Sequence, residues 1–449
     1  MEENKMGVMP INKLILSMSL PIMISMLVQA LYNIIDSIFV SKINENALTA
    51  VSMAFPIQNL MIAVGAGTAV GVNALLARAL GAKDFKKVNK IAVNAVFLLV
   101  LSYILFALIG IFGMDLFYRS QTDIEEIITY GKQYMITCCC FSFGIFTQLI
   151  FERLLQATGK TIYTLFTQGT GAIINIILDP IMIFGLFGFP KLGVTGAALA
   201  TITGQIIAGI LAVVFNHLKN HEVKIHLAGF RPDGDIIKQI YGIAVPSIVM
   251  QAIGSIMTYG MNCILMSFTA TATAVFGVYF KLQSFIFMPV FGMNNGVIPI
   301  LAYNYGAGKK ERVLSTMKKS IIYAIIIMVA GLIVFQIFPQ PLLGLFHASD
   351  TMVALGIPAL RIISLSFVFA GFCIGCGSVF QALGKATYSL WVSIARQLVV
   401  LLPAAYLLAQ TGNVNMVWWS LPIAELMSLA MSLLFLSRIN KKIISHIGE

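Results

Sequence analysis

Residues 91–114 read IAVNAVFLLVLSYILFALIGIFGM, a run of 24 residues without a charged side chain. At 1.5 Å per residue such a helix is about 36 Å long, enough to cross the roughly 30 Å hydrocarbon core of a bilayer. The sequence therefore predicts a membrane-spanning helix here. Working outward from it, similar apolar runs occur at 13–40, 47–77, 130–151, 161–187, 193–216, 239–267, 273–304, 320–345, 352–382, 387–409 and 415–437. Together they predict twelve spans.

The composition of the whole chain agrees with this prediction. Of its 449 residues, 59% are hydrophobic and 10% are charged, whereas a soluble protein carries about 25% charged residues. Such a chain is neither disordered nor a small disulfide scaffold, and its continuous apolar runs exclude a porin. The predicted fold class is all-α integral membrane, with the lipid bilayer as its surroundings. The sequence carries no Walker loop, nucleophile elbow or metalloprotease motif, so we do not expect an enzyme.

The basic residues are distributed unevenly between the two sets of loops. Of the 29 Lys and Arg residues, 22 fall at the termini and in one alternating set of loops, and 4 fall in the opposite set. By the positive-inside rule, both termini and the long polar loop at 217–238 are predicted to be cytoplasmic. The net charge of +11 is thus a signal of topology, and no nucleic-acid partner is expected.

The two halves of the chain repeat each other at a constant offset. QATGKTIY at 156–163 falls on QALGKATY at 381–388, and several glycines and prolines coincide at the same offset. Because the offset spans six helices, an even number, the repeat is parallel and predicts two six-helix lobes related by a pseudo-twofold axis. We place them at residues 1–220, with helices 1–6, and at residues 221–449, with helices 7–12. Such a design suits alternating access.

Carboxyl groups inside the predicted spans are rare and costly, and are therefore candidates for function. Asp36 lies late in the first span, and Asp179 lies late in the fifth, one turn after Asn175. Counted along the helix axes, both acids and Thr201 reach the same outer half of the membrane. Two carboxylates at close range repel each other, and binding of a proton or of a bare cation such as Na⁺ between them would reduce that repulsion. The alternative is a structural role, with a kink at Pro180 and Asp36 as a buried hydrogen-bonding group.

The second half of the sequence carries no equivalent acid pair. Its deep carboxyl group, Glu425, is expected to form a structural ion pair with Arg396. Glu152, near the end of the fourth span, is either interfacial or directed into a cavity, where it would meet a cationic substrate. The other polar residues that are candidates for substrate contact or gating are Gln29, Tyr32, Asn33, Gln251, Lys281 and Gln283.

Several motifs resemble those of the multidrug and toxic compound extrusion (MATE) family. They are QxxYNxxDxxFV at 29–40, GxxxG leading into ARxxGA at 67–82, and GVxGAALAT at 193–201. The motif PxxxYNYGA at 299–307 is similar to the bacterial branch that includes MepA-type drug exporters. The resemblance covers essentially the whole chain.

The resemblance implies a secondary active antiporter that exports cationic amphiphilic compounds in exchange for H⁺ or Na⁺, without another cofactor. It assigns the cation site to Asp36, Asn175, Asp179 and Thr201. It also implies a bacterial inner (cell) membrane location, small organic cations as partners and a monomer. The acids that some members carry on the seventh and tenth helices are absent from this sequence, so coupling is expected in the first lobe. A lipid-linked oligosaccharide or lipid flippase of the same superfamily is the alternative.

Overall fold

The structure is a computed structural model that describes residues 3–346 and 348–448, apart from the side chains of residues 37, 41 and 45. Within these residues every regular element is a helix. The first ten α-helices are α1 (Lys5–Val8), α2 (Ile11–Ser41), α3 (Glu45–Met53), α4 (Phe55–Gly81), α5 (Phe85–Arg119), α6 (Glu125–Cys140), α7 (Phe143–Ala157), α8 (Ile162–Phe184), α9 (Val194–Lys219) and α10 (Gly234–Met266).

The second half of the chain supplies the remaining helices. They are α11 (Ala270–Gly306), α12 (Lys310–Ile337), α13 (Pro339–Gly344), α14 (Asp350–Ser364), α15 (Phe367–Ala382), α16 (Ala386–Ile394), α17 (Leu402–Ala409), α18 (Val414–Trp418) and α19 (Ser420–Lys442). A π-helix, Ala395–Leu401, joins α16 to α17, and a short 3-10 helix, Ile444–His446, follows α19.

The described part of the chain holds ten helices long and apolar enough to cross a membrane, or up to twelve if each of two bent pairs crosses as one span. The bent pairs are α6 with α7 and α14 with α15. The prediction of an all-α membrane protein with twelve spans is confirmed on this count. Most of the helices are a few residues longer than the predicted spans, because they continue through charged residues at their ends.

Capping side chains and one glycine fix several of these helix ends. Asp84, Thr269 and Ser349 each accept a hydrogen bond from the backbone N–H three residues later, at the starts of α5, α11 and α14. At the end of α8, Gly185 adopts a left-handed conformation with φ of 73°, which favours glycine. The Asp84 cap fixes the start of α5 six residues before the uncharged run at 91–114.

The two bent pairs break at positions that carry no proline. The angle is 43° between α6 and α7 and 48° between α14 and α15. At each break the backbone makes a tight turn: Ser142 N–H donates to Cys139 C=O at 3.2 Å, and Ser366 N–H donates to Ile363 C=O at 3.0 Å. The internal repeat pairs Ser142 with Phe367, the immediate neighbour of Ser366. The bend therefore recurs at nearly the same place in both halves of the chain.

The chain divides into two compact units. Unit N comprises residues 24–248. Unit C comprises the described part of residues 1–23 together with 249–448. The divisions fall inside α2 and α10, and the lobes placed at 1–220 and 221–449 stay a prediction.

Unit N has a buried core to which α2, α3, α5, α6, α8 and α9 contribute. Tyr118 and Tyr134 are among its fully buried side chains, and the Tyr118 hydroxyl donates to the backbone carbonyl of Ala50 at 2.9 Å. Helices α8 and α9 pack closely because each presents a glycine to the other: a Cβ on Gly204 would lie 2.6 Å from the carbonyl oxygen of Gly171.

Unit C is held together by an aromatic cluster and by an anchored N-terminus. The rings of Phe335 and Phe367 lie 5.1 Å apart, in an edge-to-face arrangement. Buried Asn304 of α11 donates to the backbone carbonyl of Met6 at 2.9 Å, and Arg312 of α12 donates to the same carbonyl at 3.0 Å. These bonds fix the short helix α1 against α11.

Candidate functional site

The two acids selected from the sequence lie together in unit N. Asp179, near the C-terminal end of α8, is fully buried, and its carboxyl group is hydrogen-bonded to that of Asp36 on α2. Two carboxyl groups can bond in this way only when one of them carries a proton. The Oδ1 atoms of both acids are buried and find no hydrogen-bond partner among the described residues. The pair therefore has capacity for a further polar contact.

Asn175 and Thr201 join this pair from α8 and α9. The Asn175 amide satisfies its neighbours in one orientation, with its oxygen towards α9. In that orientation the hydroxyl and the backbone N–H of Thr201 both donate to Asn175 Oδ1 at 3.1 Å. The amide nitrogen then donates to Asp179 Oδ2 at 3.2 Å. All four residues of the predicted cation site thus form one connected group.

Two tyrosine side chains lie near the acid pair. Tyr32, one turn before Asp36 on α2, lies close enough to interact electrostatically with both carboxyl groups. Tyr134 of α6 also interacts with Asp36, and its hydroxyl accepts a hydrogen bond from Gln58 Nε2 at 2.9 Å. The sequence analysis missed Tyr134 and Gln58, because no spacing along the chain relates them to the acids.

A small cavity of about 60 Å³ lies beside this group, inside unit N. It has room for a few water molecules, whereas pockets for drug-sized ligands measure at least about 300 Å³. Four helices line the cavity. Each contributes one face, because its lining residues are spaced about three or four positions apart along the helix. The lining residues are Gln29 and Tyr32 of α2, Ile145, Gln148 and Leu149 of α7, Gln168, Gly171, Ala172 and Asn175 of α8, and Thr201, Gly204 and Gln205 of α9.

Glu152 lies on α7, one turn beyond the cavity residue Gln148, and is only 2% exposed. Its carboxyl group has three hydrogen-bonding neighbours: Gln148 Nε2 at 3.0 Å, Thr167 Oγ1 at 2.6 Å and Gln168 Nε2 at 2.8 Å. Gln148 and Gln168 both line the cavity. The amide groups of two cavity residues therefore connect Glu152 to the cavity wall.

The surroundings of the remaining candidates differ from one residue to the next. Asn33 is exposed on α2. In unit C, Arg396 Nη1 lies 3.0 Å from Glu425 Oε1. Lys281 is exposed, with its ammonium group 5.9 Å from the ring centre of Phe346. The two remaining candidates are glutamines with partly buried side chains, Gln251 on α10 and Gln283 on α11.

The described residues contain no group of three or more His, Cys, Asp or Glu side chains able to hold a metal ion. A proton or a monovalent cation would bind through the two carboxyl groups, and the neutral oxygens nearby are those of Asn175 and Thr201. In the orientation described above, Asn175 turns its nitrogen, and not its oxygen, towards Asp179.

Comparison with known proteins gives consistent results. The chain is 27% identical over 414 residues to "Multidrug export protein MepA" of Staphylococcus haemolyticus, covering 92% of this chain and 90% of that protein. It is 27% identical over 357 residues to "Probable multidrug resistance protein NorM" of Thermotoga maritima, covering 79% and 76%. A solved structure described as the outward-facing conformation of a multidrug resistance MATE family transporter of the MOP superfamily matches with a TM-score of 0.91, at 27% identity and 98% coverage of both chains.

The family model named MatE matches the chain twice, over residues 21–181 and 246–407. The starts of the two matches, 21 and 246, are separated by the same offset as the repeated segments at 156–163 and 381–388. Together the matches cover more than half of the chain. The chain therefore belongs to the MatE family and has the fold of the MATE transporters.

Proposed function

We propose that this protein is a secondary active multidrug exporter that moves small organic cations across the cell membrane of a bacterium in exchange for protons. The observation that carries this proposal is the hydrogen-bonded pair Asp36–Asp179. The names of its relatives, multidrug export and multidrug resistance proteins, support the class of substrate.

The pair can couple two cations because they would compete for the same negative charge. Without a proton, the two carboxylates carry two negative charges in a site of low dielectric and attract a cation strongly. A proton bound between Asp36 and Asp179 removes one of those charges and lowers the affinity for an organic cation. Differential affinity of this kind is what a ligand needs to shift a protein between two conformations.

We propose H⁺ as the coupling ion because a shared proton needs only the two carboxyl groups, which lie together. A sodium ion needs several oxygen ligands, and the neutral oxygens beside the pair are those of Asn175 and Thr201.

The uneven distribution of Lys and Arg supports a topology with both termini in the cytoplasm. We propose that the protein acts as a monomer and takes its substrate from the cytoplasmic side. We propose no cofactor apart from the coupling ion.

The test is efflux of ethidium from proteoliposomes, with a pH gradient and a Na⁺ gradient imposed separately. We expect the pH gradient alone to drive efflux, and Asp36→Asn and Asp179→Asn each to reduce its rate at least tenfold. Asp115→Asn is the matched control, because it makes the same chemical change at an exposed acid of α5 that is ion-paired with Lys132. We expect this control to keep the normal rate.

Each alternative has its own outcome in this assay. Efflux that requires Na⁺ would refute proton coupling. Efflux at the normal rate with both Asp36→Asn and Asp179→Asn would refute the role of the pair. Absence of efflux under either gradient would refute drug export and favour a flippase, which lipid-linked oligosaccharides would then test.

A further inference from the structure

A third buried carboxyl group in unit N is not used by the acid pair. Glu152 accepts hydrogen bonds from the side-chain amides of Gln148 and Gln168 and contacts the hydroxyl of Thr167. All three of these neighbours are uncharged. Helices α4, α5, α8 and α9 pack against α7, and the ionisable group that acts on the Glu152 carboxyl is the adjacent Arg153.

Arg153 does not use its guanidinium group to neutralise Glu152 directly. Its Nη1 donates to Gln156 Oε1 at 2.8 Å, and Gln156 in turn donates to Thr164 Oγ1 at 3.2 Å. A buried carboxylate that is hydrogen-bonded only to neutral donors keeps its full charge, and its desolvation is costly. The positive charge of the adjacent Arg153 offsets part of that cost. Uptake of a proton removes that charge.

Thr167 makes both protonation states of Glu152 possible without moving a heavy atom. Its hydroxyl oxygen lies 2.6 Å from Glu152 Oε1 and 3.0 Å from the backbone carbonyl of Thr164. A hydroxyl group has one proton to donate. With Glu152 ionised, that proton points to the carboxylate. With Glu152 protonated, the carboxyl O–H donates to Thr167, and the hydroxyl donates to Thr164.

The cavity is lined by residues that contact this carboxyl group and by a residue that contacts the acid pair. Gln168 and Asn175 line it seven residues apart on the same face of α8, which is about 10 Å along the helix axis. Gln168 Nε2 bonds Glu152 at one end, and Asn175 contacts Asp179 at the other. The buried Oε1 atom of Gln168 lacks a partner in the part of the chain that the structure describes, so it can accept a hydrogen bond from water in the cavity.

We propose that Glu152 is a second proton-binding group, which exchanges the coupling proton with the Asp36–Asp179 pair through water in this cavity. In the forward step, the protonated pair releases its proton to a cavity water, and a proton passes from the water to the Glu152 carboxylate. One negative charge then moves from Glu152 to the pair, and no other reactant is needed. This inference rests on the proposed function in its proton-coupled form.

The experiment compares two modes of transport in proteoliposomes that contain the full chain. The first is efflux of tetraphenylphosphonium driven by a pH gradient, which needs net movement of protons. The second is exchange of labelled for unlabelled tetraphenylphosphonium at equal pH, which does not. We expect Glu152→Gln to slow the first at least tenfold and to change the rate of exchange and the Kd for tetraphenylphosphonium less than twofold.

Thr167 supplies a matched pair of variants in case Glu152→Gln fails to fold. Thr167→Val removes the hydroxyl group and keeps the shape, whereas Thr167→Ser keeps the hydroxyl group. We expect Thr167→Val to slow pH-driven efflux and to shift the pH dependence of its rate, and we expect Thr167→Ser to do neither.

Three results would overturn the inference. One is pH-driven efflux at the normal rate with Glu152→Gln. Another is an equal loss of both transport modes, which would make the role of Glu152 structural. The third is identical behaviour of Thr167→Val and Thr167→Ser. If Asp36→Asn blocks efflux while Glu152→Gln does not, the proposed function stands and this inference alone fails. If the unmodified protein shows no pH-driven efflux, both fail.

Discussion

The contact between α8 and α9 makes a quantitative prediction about Gly204. A Cβ atom at this position would lie 2.6 Å from the carbonyl oxygen of Gly171, and ordinary contact begins at 3.4 Å. Because the obstacle is backbone, the helices have to separate by about 0.8 Å, the difference between these two distances. Overpacking of this kind costs about 1–3 kcal/mol. The free energy of unfolding of Gly204→Ala should fall accordingly, less a gain of up to about 1 kcal/mol from the helix propensity of alanine.

Gly169→Ala is the matched control, because Gly169 lies on α8 and a Cβ there would have no neighbour within 4 Å. It shares the gain in helix propensity but not the collision. The difference between the two variants should therefore equal the packing cost, about 1–3 kcal/mol. We would measure it by equilibrium unfolding in mixed micelles of dodecyl maltoside and SDS.

The same separation should reach the candidate site. Thr201 lies one turn before Gly204, and its bonds to Asn175 measure 3.1 Å. Lengthened by about 0.8 Å, they would exceed the range of a hydrogen bond. We expect Gly204→Ala to slow pH-driven efflux and Gly169→Ala to leave it unchanged. Equal stabilities of the two variants, or an unchanged efflux rate in Gly204→Ala, would refute this account of the helix contact.

Two further predictions concern other parts of the fold. Arg396→Met should lower the free energy of unfolding by roughly 2–4 kcal/mol, because it leaves Glu425 buried without its partner. The double variant Arg396→Met with Glu425→Met should recover most of this loss. Additive losses of stability in the double variant would contradict the prediction. The backbone N–H of Ile236 donates to the Asp233 carboxyl group, and this hydrogen bond, with a smaller contribution from Lys90, holds the pKa of Asp233 below its ordinary value of about 3.9. The stabilising effect of Asp233 is therefore present at neutral pH and is lost as the pH falls through the lowered pKa. The difference in Tm between the unmodified protein and Asp233→Ala should then shrink from pH 7 to pH 3, and a constant difference would count against this cap.

Most of the fold could be predicted because hydrophobic length alone decides what crosses a bilayer. The uncharged run 91–114 lies within α5, and the predicted span 193–216 nearly coincides with the first part of α9. The bends at residues 141–142 and 365–366 could not be predicted, since neither carries the proline that usually marks a break. A close contact between helices lies just after the first bend, where a Cβ on Gly144 would lie 2.9 Å from the backbone nitrogen of Ile206, and such a contact cannot be read from the sequence.

The part of the candidate site that depends on helical spacing and helical rise could be predicted from the sequence. Helical rise placed Asp36, Asp179 and Thr201 at one depth, and the spacing of four placed Asn175 beside Asp179. Two of the three neighbours of Glu152, Thr167 and Gln168, come from another helix, and which face of α8 meets α7 depends on the rotation of both helices. One signal was available: Gln168, Asn175 and Asp179 are spaced by seven and four, the period of a polar stripe along one helix.

The π-helix Ala395–Leu401 marks a difference between the two halves of the chain. At the offset that relates Tyr163 to Tyr388, the counterpart of α8 is the helical stretch that runs from α16 through the π-helix to α17, whereas α8 itself is α-helical. A π-turn accommodates one residue more than an α-turn. At the same offset the counterpart of Asp179 is Ala404, and the next residue, the buried Ala405, is also alanine. In either register, the second half of the chain thus has no acid at this position.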